Sequence, residues 1–243
     1  HAAEVQIWTD VTGFLTADPR VVPAARTIPR LSYTEAAELA YFGARVLHPR
    51  TILPAVELGL PVRICNSWEP EAAGTMISAH REVSTQGIKA IAHKKGITVV
   101  QVTAARMLGA YGFLRSLFEV FERHHTSVDS VATSEVSVSL TIDDAAALPA
   151  ILADLEELGA VHAESGYAIV CAVGEGLRST PGVAGKIFGT LAGINIVLIS
   201  QGASTTNLTF VVAEKEVEEV VGRLHERLFG ARGSGASVAG VLG

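Results

Sequence analysis

The chain has 243 residues, 49% of them hydrophobic, with 25 acidic and 19 basic residues and a formal net charge of −6. That length holds one large domain or two to three small ones with real cores. No apolar run approaches the ~18 residues of a membrane span, no signal peptide is visible, and scattered basic residues on an acidic chain speak against nucleic acid as the main partner.

His1-Ala2-Ala3 enters directly into an apolar strand, as at the boundary of a longer chain. The apolar run ends at Ile7-Trp8, and Thr9 and Asp10 then place a hydroxyl and a carboxylate at the strand's end. Gly13 permits a tight turn, Asp18-Pro19 marks a second, and Arg20 closes the loop with a cation. Acid, hydroxyl and guanidinium at the end of a strand are what an α/β enzyme uses to hold a nucleotide. The same residues also suit a polar loop with no ligand. Ser32-Tyr33-Thr34-Glu35 is a capping box and predicts a helix through about Tyr41. Pro49 to Leu58 reads as the next helix and Pro61 to Asn66 as a strand. Residues 67–87, polar and carrying Pro70 and Gly74, read as a linker.

From residue 88 the texture changes to short units. Ile88 to Ala92 and Thr98 to Thr103 are strand-like. Gly112 to His125 is a helix with Phe113, Leu114, Leu117, Phe118 and Phe121 on one side. Ser127 to Thr133 and Glu135 to Ile142 alternate as strands, Ala145 to Leu158 is a helix, and Val161 to Ser165 can add a fourth strand. The pattern then returns: strand Tyr167 to Val173, helix Pro181 to Ala192, strands Ile194 to Ser200 and Asn207 to Val212, helix Val217 to Leu228. This is a β-α-β-β-α repeat of about seventy residues. The second copy lacks a fourth strand, and the early strand Ile88 to Ala92 has no unit of its own. The simplest solution inserts the first unit, 96–165, within the second, 88–95 plus 166–229, leaving 230–243 as a tail. Gly174-Glu175-Gly176, with no lysine after it, reads as a loop. Cys65 and Cys171 lie in apolar runs as buried thiols, which suits a reducing cytoplasm.

Three blocks carry a resemblance: Trp8 to Arg20; Phe42-Gly43-Ala44-Arg45-Val46-Leu47-His48-Pro49; and Thr133-Ser134-Glu135-Val136-Ser137-Val138 after Ser127-Val128-Asp129. In this order they resemble the aspartokinases, which phosphorylate the β-carboxylate of aspartate. The similarity runs from about residue 5 to residue 229 and looks closest to the lysine-sensitive, single-function type. It implies a mixed α/β and α+β chain. Residues 1–66 would be the C-terminal part of an amino-acid-kinase domain, followed by two ferredoxin-like ACT domains (βαββαβ), the first inserted in the second. The family's N-terminal lysine and glycine-rich phosphate turn have no counterpart here. No catalytic residue is therefore assigned, and this chain is expected to be inactive alone.

The resemblance further implies ATP with Mg and L-aspartate as substrates of the parent kinase, L-lysine as allosteric inhibitor, and a homodimer or larger assembly through the ACT domains. Thr9, Asp10, Leu15, Arg20 and Arg45 become the nucleotide neighbours. Leu15 stands where the family usually has tyrosine, and Arg45 where it has lysine. Arg45 also reads as a helix-end cation. Met107, Gly112, Phe113, Leu114, Val128, Asp129, Ser134 and Glu135 become the lysine-site candidates. Physically, the helix start at Gly112 suits a carboxylate. Asp129, an acid within a strand, calls for a cationic partner. Phe113, Leu114 and Val128 equally fit the core stripe. Gly109-Ala110-Tyr111 departs from the histidine, serine and arginine typical of lysine-sensitive members. Gln201-Gly202-Ala203-Ser204 and Asn207 resemble a segment that packs units together. The alternative to a kinase is a non-catalytic, amino-acid-binding regulatory subunit working with a separate catalytic chain.

Overall fold

The computed structural model describes residues 2–43, 52–84, 87–107 and 111–230. The first sheet has four strands in the order β1 (Val5–Thr9), β3 (Val62–Asn66), β4 (Thr75–Ser78), β2 (Arg30–Ser32). β1 and β3 run parallel, Val5 opposite Val62 through Thr9 opposite Asn66. β4 lies inside the stretch expected to be linker. Its alternation, with Thr75 and Ile77 inward, spans only four residues and is too short to read from sequence. The helix α1 (Tyr33–Tyr41) begins at the predicted capping box, with Glu35 N donating to Ser32 Oγ at 3.1 Å and Ser32 N to Glu35 Oε2 at 2.8 Å. Of the expected helix Pro49 to Leu58, the described part is α2 (Leu53–Glu57). Arg45 and the rest of its block from Ala44 to Pro49 lie outside the described residues, as do Gly109, Ala110 and residues 231–243.

The second sheet is antiparallel throughout, in the order β6 (Ser130–Thr133), β7 (Ser137–Ile142), β5 (Ala90–Thr103), β8 (Ala160–Val173), β10 (Asn207–Ala213), β9 (Leu198–Gln201). β5 and β8 have 14 residues each and serve both repeat units. They pair from Ala90 opposite Val173 to Thr103 opposite Ala160, with register shifts between Lys94 and Thr98. The two short strands expected on either side of residues 93–97 are therefore one bulged strand, as are those on either side of Gly166. A glycine that reads as a break in sequence is here a bend within continuous pairing.

Helices α3 (Phe113–Arg123) and α4 (Leu148–Glu156) cover the first unit, α5 (Val183–Thr190) and α6 (Val217–Phe229) the second. Val100, Leu117, Phe121, Leu140 and Leu155 fill the first core; Ile91, Val170, Ile187, Phe210 and Leu224 fill the second. Leu114 and Phe118, expected on the core side of α3, are instead 40% and 39% exposed. The stripe is Phe113, Leu117, Val120 and Phe121, and the other two sit one residue further round the helix. Successive β5 residues face opposite ways. Ala90 and Ala92, with Ile169, Cys171 and Val211, join one core with Leu39 and Phe42 from the kinase-like part. The first sheet's helix is thus packed on the back of the second unit. Both cysteines are buried and free, and burial pushes the Cys171 thiol far above its usual range.

Candidate nucleotide and effector sites

The loop after β1 folds back on itself as a short hairpin. Thr16 N donates to Arg26 O at 2.9 Å and Ile28 N to Phe14 O at 2.8 Å, and a bridge joins Leu15 to Thr27. Gly13 is at φ 100°, and a Cβ there would stand 2.3 Å from Thr75 Oγ1, so the turn needs its glycine. The hairpin encloses a cavity of about 510 Å³ walled by Thr9, Asp10, Leu15, Asp18 and Arg20. Four of the five expected nucleotide residues therefore share one cavity; the fifth, Arg45, lies outside the described residues. Thr9 Oγ1 donates to Asp10 Oδ1 at 3.0 Å. Arg20 donates from Nε at 3.0 Å and from Nη2 at 2.6 Å to the two oxygens of Asp18. That fork holds the Asp18 carboxyl below its usual range. The pair is electrically neutral, so a phosphate drawn to Arg20 competes with Asp18.

The opposite wall was not legible in the sequence. Leu39 and Gly43 come from α1 and its end, and Ile91, Ala92 and His93 come from β5 of the second repeat unit. Burial pushes the His93 imidazole below its ordinary range, with the Asp18 charge opposing. The hairpin is also tied to that unit directly. Ile91 N donates to Thr16 O at 2.8 Å, Thr16 Oγ1 meets His225 Nε2 at 2.9 Å, and Arg26 donates to Phe229 O at 2.6 Å. Ala17 and Val22 sit in the second unit's core. A second tie is ionic. Glu35, fully buried, accepts from Lys89 Nζ at 2.9 Å and from Glu175 N, in the loop after β8, at 2.8 Å.

The expected effector residues fall into two groups. Met107, just after β5, and Gly112, which caps α3 at φ 82°, lie at the end of the first unit where Thr103, Thr133 and Ser137 meet. Ser134 and Glu135 are exposed in the turn there, with Ser134 N bonded to Ser137 O at 2.8 Å. Val128 and Asp129 lie at the other end, past the C-terminus of α3. Asp129 precedes β6 by one residue; its amide still pairs with Thr141 O at 2.9 Å. The four residues of β6 lie between Asp129 and Ser134, five strand steps or roughly 16 Å. The 11 residues of α3 put roughly 16 Å between its Gly112 end and the end past which Asp129 lies. That is more than the roughly 7 Å, about two extended residues, that free lysine spans, so one lysine does not bridge the two ends within one chain. Phe113 is buried in the core and Leu114 faces outward. The Asp129 side chain is 1% exposed and already has a cation, Lys94, at 3.1 Å. In the second unit, Ser204 reaches the kinase-like part, donating to Glu38 at 3.0 Å.

A strand-and-hairpin cavity backed by nested ferredoxin-like units defines the class: the end of an amino-acid kinase joined to paired ACT modules. The Amino acid kinase family profile matches residues 1–66, and the ACT domain profile matches residues 170–228. Lysine-sensitive aspartokinase 3 of Escherichia coli K12 is 42% identical over 237 residues, covering 94% of this chain and 53% of the relative. The crystal structure of E. coli aspartokinase III with aspartate and ADP (R-state) superposes with a TM-score of 0.86 at 42% identity, over 94% of this chain and 53% of that one. The same enzyme with lysine and aspartate (T-state) gives 0.83, over 94% and 52%. A chain described as the C-terminal regulatory domain of aspartate kinase from Porphyromonas gingivalis W83 is 38% identical, with a TM-score of 0.53, covering 58% of this chain and 96% of that one. The chain belongs to the aspartokinase family. It spans about half the length of the curated relatives it matches. No helix among the described residues is long and apolar enough to cross a membrane.

Proposed function

We propose that this chain is the regulatory end of an ATP-dependent aspartokinase, which phosphorylates the β-carboxylate of L-aspartate on the way to lysine, threonine and methionine and is inhibited by L-lysine. The observation that carries the kinase reading is the cavity itself, where Thr9, Asp10, Leu15 and Arg20 meet. Thr9 and Asp10 suit the ribose and base, and Arg20, with Arg45, suits the phosphates of Mg-bound ATP. Catalysis in such a kinase is positioning and charge neutralisation, and the phosphate-binding lysine it needs has no counterpart here. The chain alone is therefore inactive. Its setting is the cytoplasm.

The lysine reading rests on Asp129 for the side-chain ammonium and the Gly112 helix start for the carboxylate. The separation of the two within a chain favours an effector site shared between two copies. Tyr111, Leu114 and Phe118 form an exposed apolar face on and beside α3. A two-fold pairing through that face, with its axis perpendicular to α3, sets the two α3 helices antiparallel. The Gly112 end of one chain then lies beside the Asp129 end of the other.

Three measurements test this. A coupled assay of the purified chain with ATP, Mg and aspartate gives no turnover above background; turnover free of contaminating kinase refutes the inactive-fragment reading. Calorimetric titration shows lysine binding, with threonine and methionine weak for want of a second ammonium, and Asp129→Ala costs more than about tenfold in affinity. Threonine binding without lysine binding refutes the lysine assignment. Sedimentation at micromolar concentration shows a dimer or larger; a monomer with and without lysine refutes the shared site.

A further inference from the structure

Tyr41 closes α1 in the kinase-like part, yet its hydroxyl donates to Asp129 Oδ1 in the first regulatory unit at 2.6 Å. Lys94 Nζ donates to the same oxygen at 3.1 Å and lies 2.6 Å from Asp143 Oδ2. Its ammonium also stands 4.9 Å from the centre of the Tyr41 ring. The Asp129 side chain is 1% exposed, and its second oxygen has no partner, as has the Ser130 hydroxyl beside it. An unpaired buried carboxylate oxygen is costly. Two acids here face one ammonium, so the cluster keeps one negative charge and accepts one more cation.

That cation reaches a carboxylate that is already covered, so it must take the place of a group now bound. Lys94 is held by Asp143 as well as Asp129. The Tyr41 phenol is neutral, and a charged donor on a carboxylate outcompetes it. We propose that Tyr41 is the positioning residue that couples the two sites: the ammonium of a free amino acid arriving at Asp129 replaces the Tyr41 hydroxyl and releases the end of α1 from the first regulatory unit. This rests on the lysine reading above. The consequence for the nucleotide cavity is short-range, because Leu39 and Gly43, two residues on either side of Tyr41, line its wall. Effector and nucleotide then bias one docked or released helix end from opposite sides, and the coupling is reciprocal.

The test compares the 243-residue chain with Tyr41→Phe, Asp129→Asn and the double variant. Lysine affinity is read by calorimetry and α1 docking by amide hydrogen exchange. Tyr41→Phe removes the competitor and binds lysine about tenfold more tightly. Lysine speeds exchange of the α1 amides in the parent chain to the rate seen in Tyr41→Phe, and speeds it no further in the variant. Equal or weaker lysine binding by Tyr41→Phe, or α1 exchange indifferent to lysine, overturns the proposal. If the parent chain binds no lysine, the effector reading and the release step both fall. The anchoring contact then stands only if the two single variants and the double variant accelerate α1 exchange equally. Unchanged exchange in that case removes the contact as well.

Discussion

Replacing Glu35 by alanine tests the joint between the kinase-like part and the second ACT unit. Glu35 is fully buried; one carboxylate oxygen accepts from Ser32 N at 2.8 Å and Lys89 Nζ at 2.9 Å, and the other from Glu175 N at 2.8 Å. The Lys89 side chain is only 9% exposed. Removing the acid strands that ammonium, and breaking a buried pair from one side costs about 3–5 kcal/mol. Loss of the reciprocal cap at the start of α1 adds about 1 kcal/mol. These effects share one side chain and do not add fully, so about 4 kcal/mol is the working figure. At about 2–4 °C per kcal/mol for a chain of this size, the melting temperature falls by about 8–16 °C. The double variant Glu35→Ala with Lys89→Met removes the stranded charge and recovers more than half of the loss. Differential scanning calorimetry of both variants decides the matter. A fall below about 3 °C, or no recovery in the double variant, shows that the pair contributes little and that apolar packing alone holds the joint.

Gly13→Ala forces a side chain against Thr75 Oγ1 at 2.3 Å from a backbone at φ 100°, and costs about 1–3 kcal/mol in chemical denaturation; an unchanged midpoint refutes the tight turn. Burial pushes the His93 and His225 imidazoles below the ordinary 6.5, with Arg26 adding to the effect at His225. The unfolded chain then takes up these protons first as pH falls, so stability is full above about 6.5 and is lost below it as pH approaches the folded-state values. Melting temperatures flat from about pH 7.5 to about 5.5 contradict this, and His225→Asn shallows the slope. Cys65 and Cys171 are buried and free, so a thiol reagent labels neither in the native chain and both in denaturant; rapid native labelling at Cys171 counts against the shared core.

Local chemistry was legible wherever a few neighbouring residues decide the backbone. Ser32 and Glu35 announce α1 because capping is settled within four residues. The repeat of β-α-β-β-α, and the unpaired early strand that implies nesting, follow from periodicity and a strand count. The polar loop from Thr9 to Arg20 stands out by residue types set at a strand end, and Thr9, Asp10, Leu15 and Arg20 line one cavity. Asp129 is conspicuous as an acid that needs a partner, but nothing near it in sequence says that Lys94 and Tyr41 supply one.

Only the tertiary structure decides what depends on distant segments meeting. β4 in the supposed linker exists because Ile64 and Arg63 of β3 and Arg30 of β2 offer it two pairing edges. The single bulged strand through Gly96 exists because β8 runs unbroken beside it. The second unit has two apolar sheet faces, which an alternating strand read alone assigns to core and solvent. Here the kinase-like part covers the second face. That packing puts His93 on the wall of the hairpin cavity and Tyr41 on Asp129. Sequence determines which residues can cap, turn, pair or carry charge. Which of them share one buried space is a property of long-range burial and register, and no local pattern encodes it.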